Sequence, residues 1–212
     1  MSDITSARLI AMFTGIAGAM AEAKSHLCEL DGVIGDADHG IAMDLGFATV
    51  ATNLAGLDPA VTDPASVFNM AAKSFLNAVG ASSGPLYATA FMRAGAAVKG
   101  KAALSTADFA DAFIAMAKGI QDRGKAEPGD KTMIDAWAPA AAAVEAAKAR
   151  GAALAQSLDD AARAAEAGAE ATRAMIASKG RAARLGERAI GHVDPGAASA
   201  AILIGAMGRG LA

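Results

Sequence analysis

The chain has 212 residues, a length that fits one domain, or at most two, around a sizeable core. Hydrophobic residues make up 54% and aromatics 4%, and a net charge of -3 offers no basic surface for nucleic acid and no polybasic stretch for a membrane. The single cysteine, Cys28, excludes an internal disulfide framework and fits a reducing, cytoplasmic setting.

Valine, isoleucine and threonine never gather into alternating runs, so the chain reads as all-α. A first helix is expected from near Thr5 to about Leu30. Its apolar run Leu9 to Ala21 has the length of a signal-peptide core, but the flank carries one arginine, Arg8, and one aspartate, Asp3, which favours a bundle helix. An acidic loop leads to a second helix, roughly Gly40 to Leu54. Asp63-Pro64 supplies the cap and first-turn proline of a third, to about Val79. The small-residue break GASSGP opens a fourth, fading at Lys99-Gly100. Ser105 to Asp108 resembles a capping box for a fifth, ending near Arg123-Gly124. The loop KAEPGDKT precedes a sixth, Met133 to about Arg150. Ser157 with Asp159 and Asp160 starts an alanine-rich seventh, to about Lys179. Gly180 to Asp194 is the longest irregular stretch, and Asp194-Pro195 caps an eighth. The last apolar run, Ala197 to Met207, is far short of the ~20 residues that span a bilayer. The expectation is one domain over residues 1–212.

The stretch LDGVIGDADHG places Asp31, Asp36 and Asp38 within eight residues, broken by Gly32 and Gly35. Three carboxylates so close repel one another unless a cation sits between them, and Mg²⁺ takes oxygen ligands of this kind. The bland alternative is a solvated acidic turn capping the next helix.

Short connections make sequential helices antiparallel neighbours, so odd-to-even loops share one end of a bundle. Those four loops, DGVIGDADHG, GASSGP, GKAEPGDKT and GRAARLGERAIGHVDPG, hold the glycine-rich, charged and histidine-bearing segments. Four helix N-termini point to the same end, where free N–H groups and the helix dipole attract phosphate. The convergence suggests a polyphosphate site.

These segments resemble the nucleotide-binding L subunit of dihydroxyacetone kinase. The match rests on GDADHG at Gly35 to Gly40, SSGPLY at Ser82 to Tyr87, RGKAEPGDKTM at Arg123 to Met133, and KGRAARLGERAIGHVDPGA at Lys179 to Ala197. The resemblance implies a barrel of eight antiparallel up-and-down helices, with ADP or ATP bound at one end through two Mg²⁺ ions. It implies that Asp31, Asp36 and Asp38 are the metal ligands and act in catalysis through the metal. His39, Gly40 and Ile41 fall at the first phosphate-binding turn, and Ser82 and Ser83 at the second. Gly124 and Met133 fall at the adenine pocket, and Arg181 with Asp194, Pro195 and Gly196 completes the nucleotide contacts. Ala42, also at the nucleotide, departs from the family, which usually carries asparagine there. The resemblance further implies a partner K subunit that holds dihydroxyacetone, and an M subunit of a phosphoenolpyruvate-dependent phosphotransferase relay that rephosphorylates bound ADP. Alternatives are an ATP-dependent kinase of a related short ketose such as erythrulose, and a nucleotide-sensing module that docks on a transcription regulator. A homodimer is left open.

Single residues carry competing readings. His39 follows two carboxylates, so a raised pKa and a phosphate role are expected, against a helix-capping histidine. His192 could cap a turn as readily as touch ligand, and His26 reads as structural. Gly80 to Gly84 formally matches the G-x-S-x-G hydrolase elbow, but that motif needs a preceding strand and FNMAAKSFLNAV reads as helix. Trp137 could border a base or pack in the core. Asp130-Lys131-Thr132 could bring a cation to phosphate or merely cap a helix. The G-x-x-x-x-G-K-[ST] loop is absent, which excludes a P-loop enzyme.

Overall fold

The structure is a computed structural model that describes residues 3–80 and 82–211; Ala81, within the GASSGP break, lies outside the described residues. Among the described residues eight α-helices follow one another: α1 Ser6–Ile34, α2 His39–Ala55, α3 Pro64–Ala78, α4 Ser83–Ala97, α5 Thr106–Gly124, α6 Ile134–Ala149, α7 Leu154–Ala171 and α8 Pro195–Leu211. Between α7 and α8 the chain makes two 3₁₀ segments, Thr172–Ala174 and Ala182–Ala189. Each helix packs on its predecessor and successor, and α8 packs back on α1, so the helices close into a barrel.

Local chemistry sets several of the helix starts. The side chains of Thr5, Asp63 and Ser105 accept backbone N–H groups at the starts of α1, α3 and α5, and Ser105 with Asp108 forms a full capping box. These three capped ends lie away from the acidic loop. The same end is tied by paired backbone hydrogen bonds between Ile4 and Leu104, at 2.8 and 2.9 Å.

Three helix ends differ from the sequence expectation, the last turn of α1 and both ends of α7, whose start lies three residues before the expected Ser157. Helix α1 runs four residues beyond Leu30, because nothing in LDGVI breaks it before Gly35, and Asp31 therefore sits in its last turn. Helix α7 begins at Leu154 and ends at Ala171, short of Lys179. There the buried Thr172 hydroxyl donates to the Ala169 carbonyl at 2.6 Å and the chain tightens into 3₁₀ geometry.

The core is aromatic on one side and small on the other. Phe13, Phe47, Phe68, Phe75, Tyr87 and Phe91, from α1 to α4, are fully buried and mostly meet edge to face. Each contributes roughly 1.5–3 kcal/mol by burial. Trp137 packs against Phe113 with ring centroids 5.3 Å apart, so it is a core residue. Helix α7 instead turns alanines inward, and α8, in contact with α1, α7, α6 and α2, is buried on most sides, which accounts for its apolar run. Among the described residues, no helix is long and apolar enough to cross a membrane.

Candidate functional site

A cavity of about 730 Å³ opens at one end of the barrel. Its wall is drawn from all four odd-to-even connections and the helix ends that flank them, and from none of the even-to-odd connections. Successive helices thus alternate in direction, and the chemically distinctive loops do meet.

One side of the cavity is acidic. Asp31, Asp36 and Asp38 each place a carboxylate oxygen within 4.8 Å of the others. Asp31 is buried at the end of α1, while Asp36 and Asp38 lie on the following turn. Ala37, between them, holds φ 63°, a left-handed conformation that a non-glycine residue adopts at a cost and that marks functional turns. Asp31 Oδ2 accepts the backbone N–H groups of Asp38 at 3.0 Å and His39 at 3.2 Å. Its Oδ1 lies beneath Gly35, where a Cβ would fall on it. The missing side chain keeps that oxygen open, and three hard oxygen donors around it fit a divalent cation such as Mg²⁺. Asp36 pairs with the Arg181 guanidinium, which reaches over from the segment between α7 and α8.

His39 begins α2 and lines the cavity. The Ser199 hydroxyl donates its one proton to the Gly196 carbonyl at 3.0 Å, so His39 Nε2, 2.8 Å from Ser199 Oγ, must be the donor there. Burial lowers the His39 pKa and outweighs the attraction of Asp31. The expected upward shift is therefore reversed, and burial favours the neutral ring.

Ser82 and Ser83 lie at the start of α4, and both line the cavity. Among the described residues no side chain caps this helix, so its first N–H groups are left for an anion. Helix α8 also begins at the cavity: Asp194 Oδ2 accepts the Ala197 N–H at 2.7 Å, and Pro195 and Gly196 complete the wall. Burial pushes the Asp194 carboxyl up to about 7, against the Ala197 hydrogen bond and the Lys131 charge.

The far side is apolar. Met133 and Gly124, both expected at the site, stand with Leu86, Ile120, Ala126 and Ile134. Those four carry no signal in the sequence that separates them from core residues. Ala42 also lines the cavity, as expected.

Two expected residues do not. Gly40 is buried where α2 crosses α1, and a Cβ there would collide with the Lys24 carbonyl and approach Cys28 Sγ to 2.8 Å. Ile41 faces solvent, 51% exposed. Of the ambiguous residues, His192 lies outside the cavity wall and His26 is exposed on α1. Asp130 does not cap α6; its carboxylate accepts the Glu127 N–H and the Ser178 hydroxyl. Lys131 lines the cavity yet is 1% exposed, its ammonium donating to the carbonyls of Thr172 and His192.

Comparison with known proteins adds to this geometry. Residues 33–209 match the family described as the DAK2 domain. The chain is 37% identical over 199 residues to the PEP-dependent dihydroxyacetone kinase, ADP-binding subunit DhaL, of Escherichia coli (strain K12), with 93% of each chain covered. It is 40% identical over 188 residues to the ADP-binding subunit DhaL of PEP-dependent dihydroxyacetone kinase 2 of Listeria innocua, covering 88% of this chain and 87% of that one. The fold is similar to the crystal structure of the dihydroxyacetone kinase from C. freundii in complex with AMP-PNP and Mg²⁺, with a TM-score of 0.74 and 26% identity. That match covers 99% of this chain, which spans 35% of the length of that one.

Proposed function

Because this chain belongs to the DAK2 domain family, we propose that it is the nucleotide-binding subunit of a dihydroxyacetone kinase. It holds ADP or ATP with Mg²⁺ and passes a phosphoryl group to dihydroxyacetone carried by a partner K subunit. The observation that supports this reading is one cavity that sets a wall of three carboxylates and an uncapped helix N-terminus against an apolar slot. Phosphates and a nucleobase need those two environments side by side.

In this reading Asp31, Asp36 and Asp38 hold Mg²⁺, with room in their ligand chemistry for two ions. Bound there, Mg²⁺ neutralises and orients the phosphates of the nucleotide. The start of α4 at Ser82 and Ser83 presents N–H and hydroxyl groups to phosphate oxygens. Gly124, Met133 and their apolar neighbours take the base. Arg181 adds a guanidinium at the phosphate end, where bidentate contact with phosphate suits its planar fork. His39, neutral and fixed by Ser199, is a hydrogen-bonding wall rather than a counter-charge. The whole chain acts as one nucleotide-binding domain in the cytoplasm.

The partner reading has its own support. Exposed Val33, Ile41, Leu45, Leu76, Ile176 and Ile190 all lie on elements at the cavity end. Apolar side chains gathered at a site mouth fit a subunit interface. The donor is read as a phosphoenolpyruvate-dependent relay through an M subunit, in keeping with the E. coli and L. innocua relatives, with ADP kept as a coenzyme.

The test is to denature the purified chain, identify released nucleotide and metal, and time exchange against labelled ADP. Retained ADP with Mg²⁺ and slow exchange supports the relay mode. Fast exchange with free ATP favours an ATP-dependent ketose kinase, and a chain that binds no nucleotide overturns the proposal.

A further inference from the structure

The segment 172–194 leaves α7 and returns to α8 through a narrow neck. Gly191 N donates to the Arg173 carbonyl at 2.8 Å and Arg173 Nη1 to the Gly191 carbonyl at 2.8 Å. Asp194 N donates to Thr172 Oγ1 at 2.9 Å. Above the neck, Ala177, Ala182, Ala189 and Leu185 pack on Ile34 at the end of α1, in a small core of their own. Gly180, Gly186 and Gly191 all hold positive φ, so the segment is a loop of sharp turns rather than an extended helix. Its front edge carries Arg181 to Asp36, and its return strand ends in Asp194.

Beneath the neck stands Lys131, contributed by a different connection. Its Nζ donates at 2.5 Å to the Thr172 carbonyl on the outgoing strand and at 2.5 Å to the His192 carbonyl on the returning one. The side chain is 1% exposed, and the residue holds φ 59°, a left-handed conformation that a lysine keeps only where its surroundings require it. A buried ammonium held by two main-chain carbonyls from opposite strands is tied to the chain and is not free to reach out to a ligand. It is placed to fix the distance between those strands.

We infer that Lys131 is a positioning residue, a pin that closes the neck of the 172–194 loop and thereby sets where Arg181 and Asp194 stand around the nucleotide cavity. The inference rests on the proposed nucleotide site for its functional consequence, but the pin itself is a statement about the ligand-free chain. Cutting it should let the loop open while the barrel stays folded. If the closed arrangement is then held about a tenth of the time, nucleotide affinity falls roughly tenfold without loss of any direct contact.

The experiment compares wild type, Lys131→Met, Arg181→Ala and the double variant. Hydrogen exchange on the ligand-free chains should rise within 172–194 and at the end of α1 in Lys131→Met and stay unchanged in α2 to α5. ADP affinity in the presence of Mg²⁺ should fall about tenfold in Lys131→Met. The double variant should lose less affinity than the two single losses combined, because part of the Lys131 effect runs through Arg181. Wild-type exchange in 172–194 overturns the pin, and additive losses of affinity overturn the positioning role. A wild-type chain that binds no ADP removes the functional premise while the exchange comparison still decides the pin. If Lys131→Met does not fold, the ammonium protons of ¹⁵N-lysine-labelled wild type decide: one protected signal supports the pin, and uniformly fast exchange overturns it.

Discussion

Asp31 and His39 are joined across the turn between α1 and α2: the Asp31 carboxylate accepts the His39 N–H at 3.2 Å, and the Asp38 N–H at 3.0 Å. The side chain assigned to the metal thus also caps α2, whereas Asp36 makes no such bond and is 41% exposed. The two carboxylates should separate on mutation. Asp31→Ala should lose nucleotide retention and about 1 kcal/mol of stability, the usual cost of a lost N-cap. Asp36→Ala should lose nucleotide and leave helical content and the melting temperature intact, since its exposed pair with Arg181 contributes little to folding. Circular dichroism melts with assay of bound nucleotide check both, and nucleotide retained by Asp36→Ala would sink the metal assignment.

Asp194 gives the fold a pH dependence of unusual sign. Burial raises its folded pKa from an ordinary 3.8 to about 7. Between those values the unfolded chain releases a proton that the folded chain keeps, so stability falls as pH rises through the window and is flat above it. The whole effect is at most a few kcal/mol. His39, with its lowered pKa, acts in the opposite sense below 6.5, so the comparison must be between variants. Asp194→Asn keeps the cap on α8 and removes the titration. Urea unfolding at pH 4.5 and 7 should show a smaller loss for Asp194→Asn than for wild type, and parallel curves would refute the assignment.

How far the sequence reaches is clearest at three places. The carboxylates, the serine turn and the Asp194-Pro195-Gly196 start of α8 were legible because charge, small size and proline each have a local meaning. The apolar slot was not, because Leu86 and Ile120 look the same to a helical periodicity whether they face a core or a cavity. The end of α7 was hidden for a related reason: ATRAMIASK contains no glycine or proline before Gly180, and Thr172, where the α-helix gives way to 3₁₀ geometry, is held by a lysine from 41 residues away. Lys131 itself stood out only as one cation in a turn, and its burial depends on which loops the barrel brings together.

Gly40 shows a motif glycine with a packing role. It sits where α2 crosses α1, against the Lys24 carbonyl and Cys28. Gly40→Ala should force the helices apart and lower stability by about 1–3 kcal/mol, as other overpacked contacts do. Gly18 lies in α1 with nothing within 4 Å of an added Cβ, so Gly18→Ala should raise stability by about 0.5–1 kcal/mol through helix propensity. Chemical denaturation of both variants tests the contrast. Equal effects would mean that the α1–α2 crossing is looser than these contacts imply.

Ala42 is the place where this chain departs from the pattern it otherwise resembles. It stands on the cavity wall, one turn into α2 and three residues after His39, and its N–H is already taken by the Asp38 carbonyl at 2.9 Å. Its methyl group offers a bound nucleotide no hydrogen bond. An asparagine amide at the same point could reach a phosphate oxygen or a water on the metal. A neutral hydrogen bond gained there is worth about 1 kcal/mol, which corresponds to roughly fivefold in affinity. Ala42→Asn should therefore tighten ADP binding in the presence of Mg²⁺ and slow its release, with little change in melting temperature of the nucleotide-free chain. Titration calorimetry measures the first and labelled-ADP exchange the second. If Ala42→Asn binds no better than wild type, the side chain at this position does not reach the ligand, and the phosphates lie closer to α4 than to the second turn of α2.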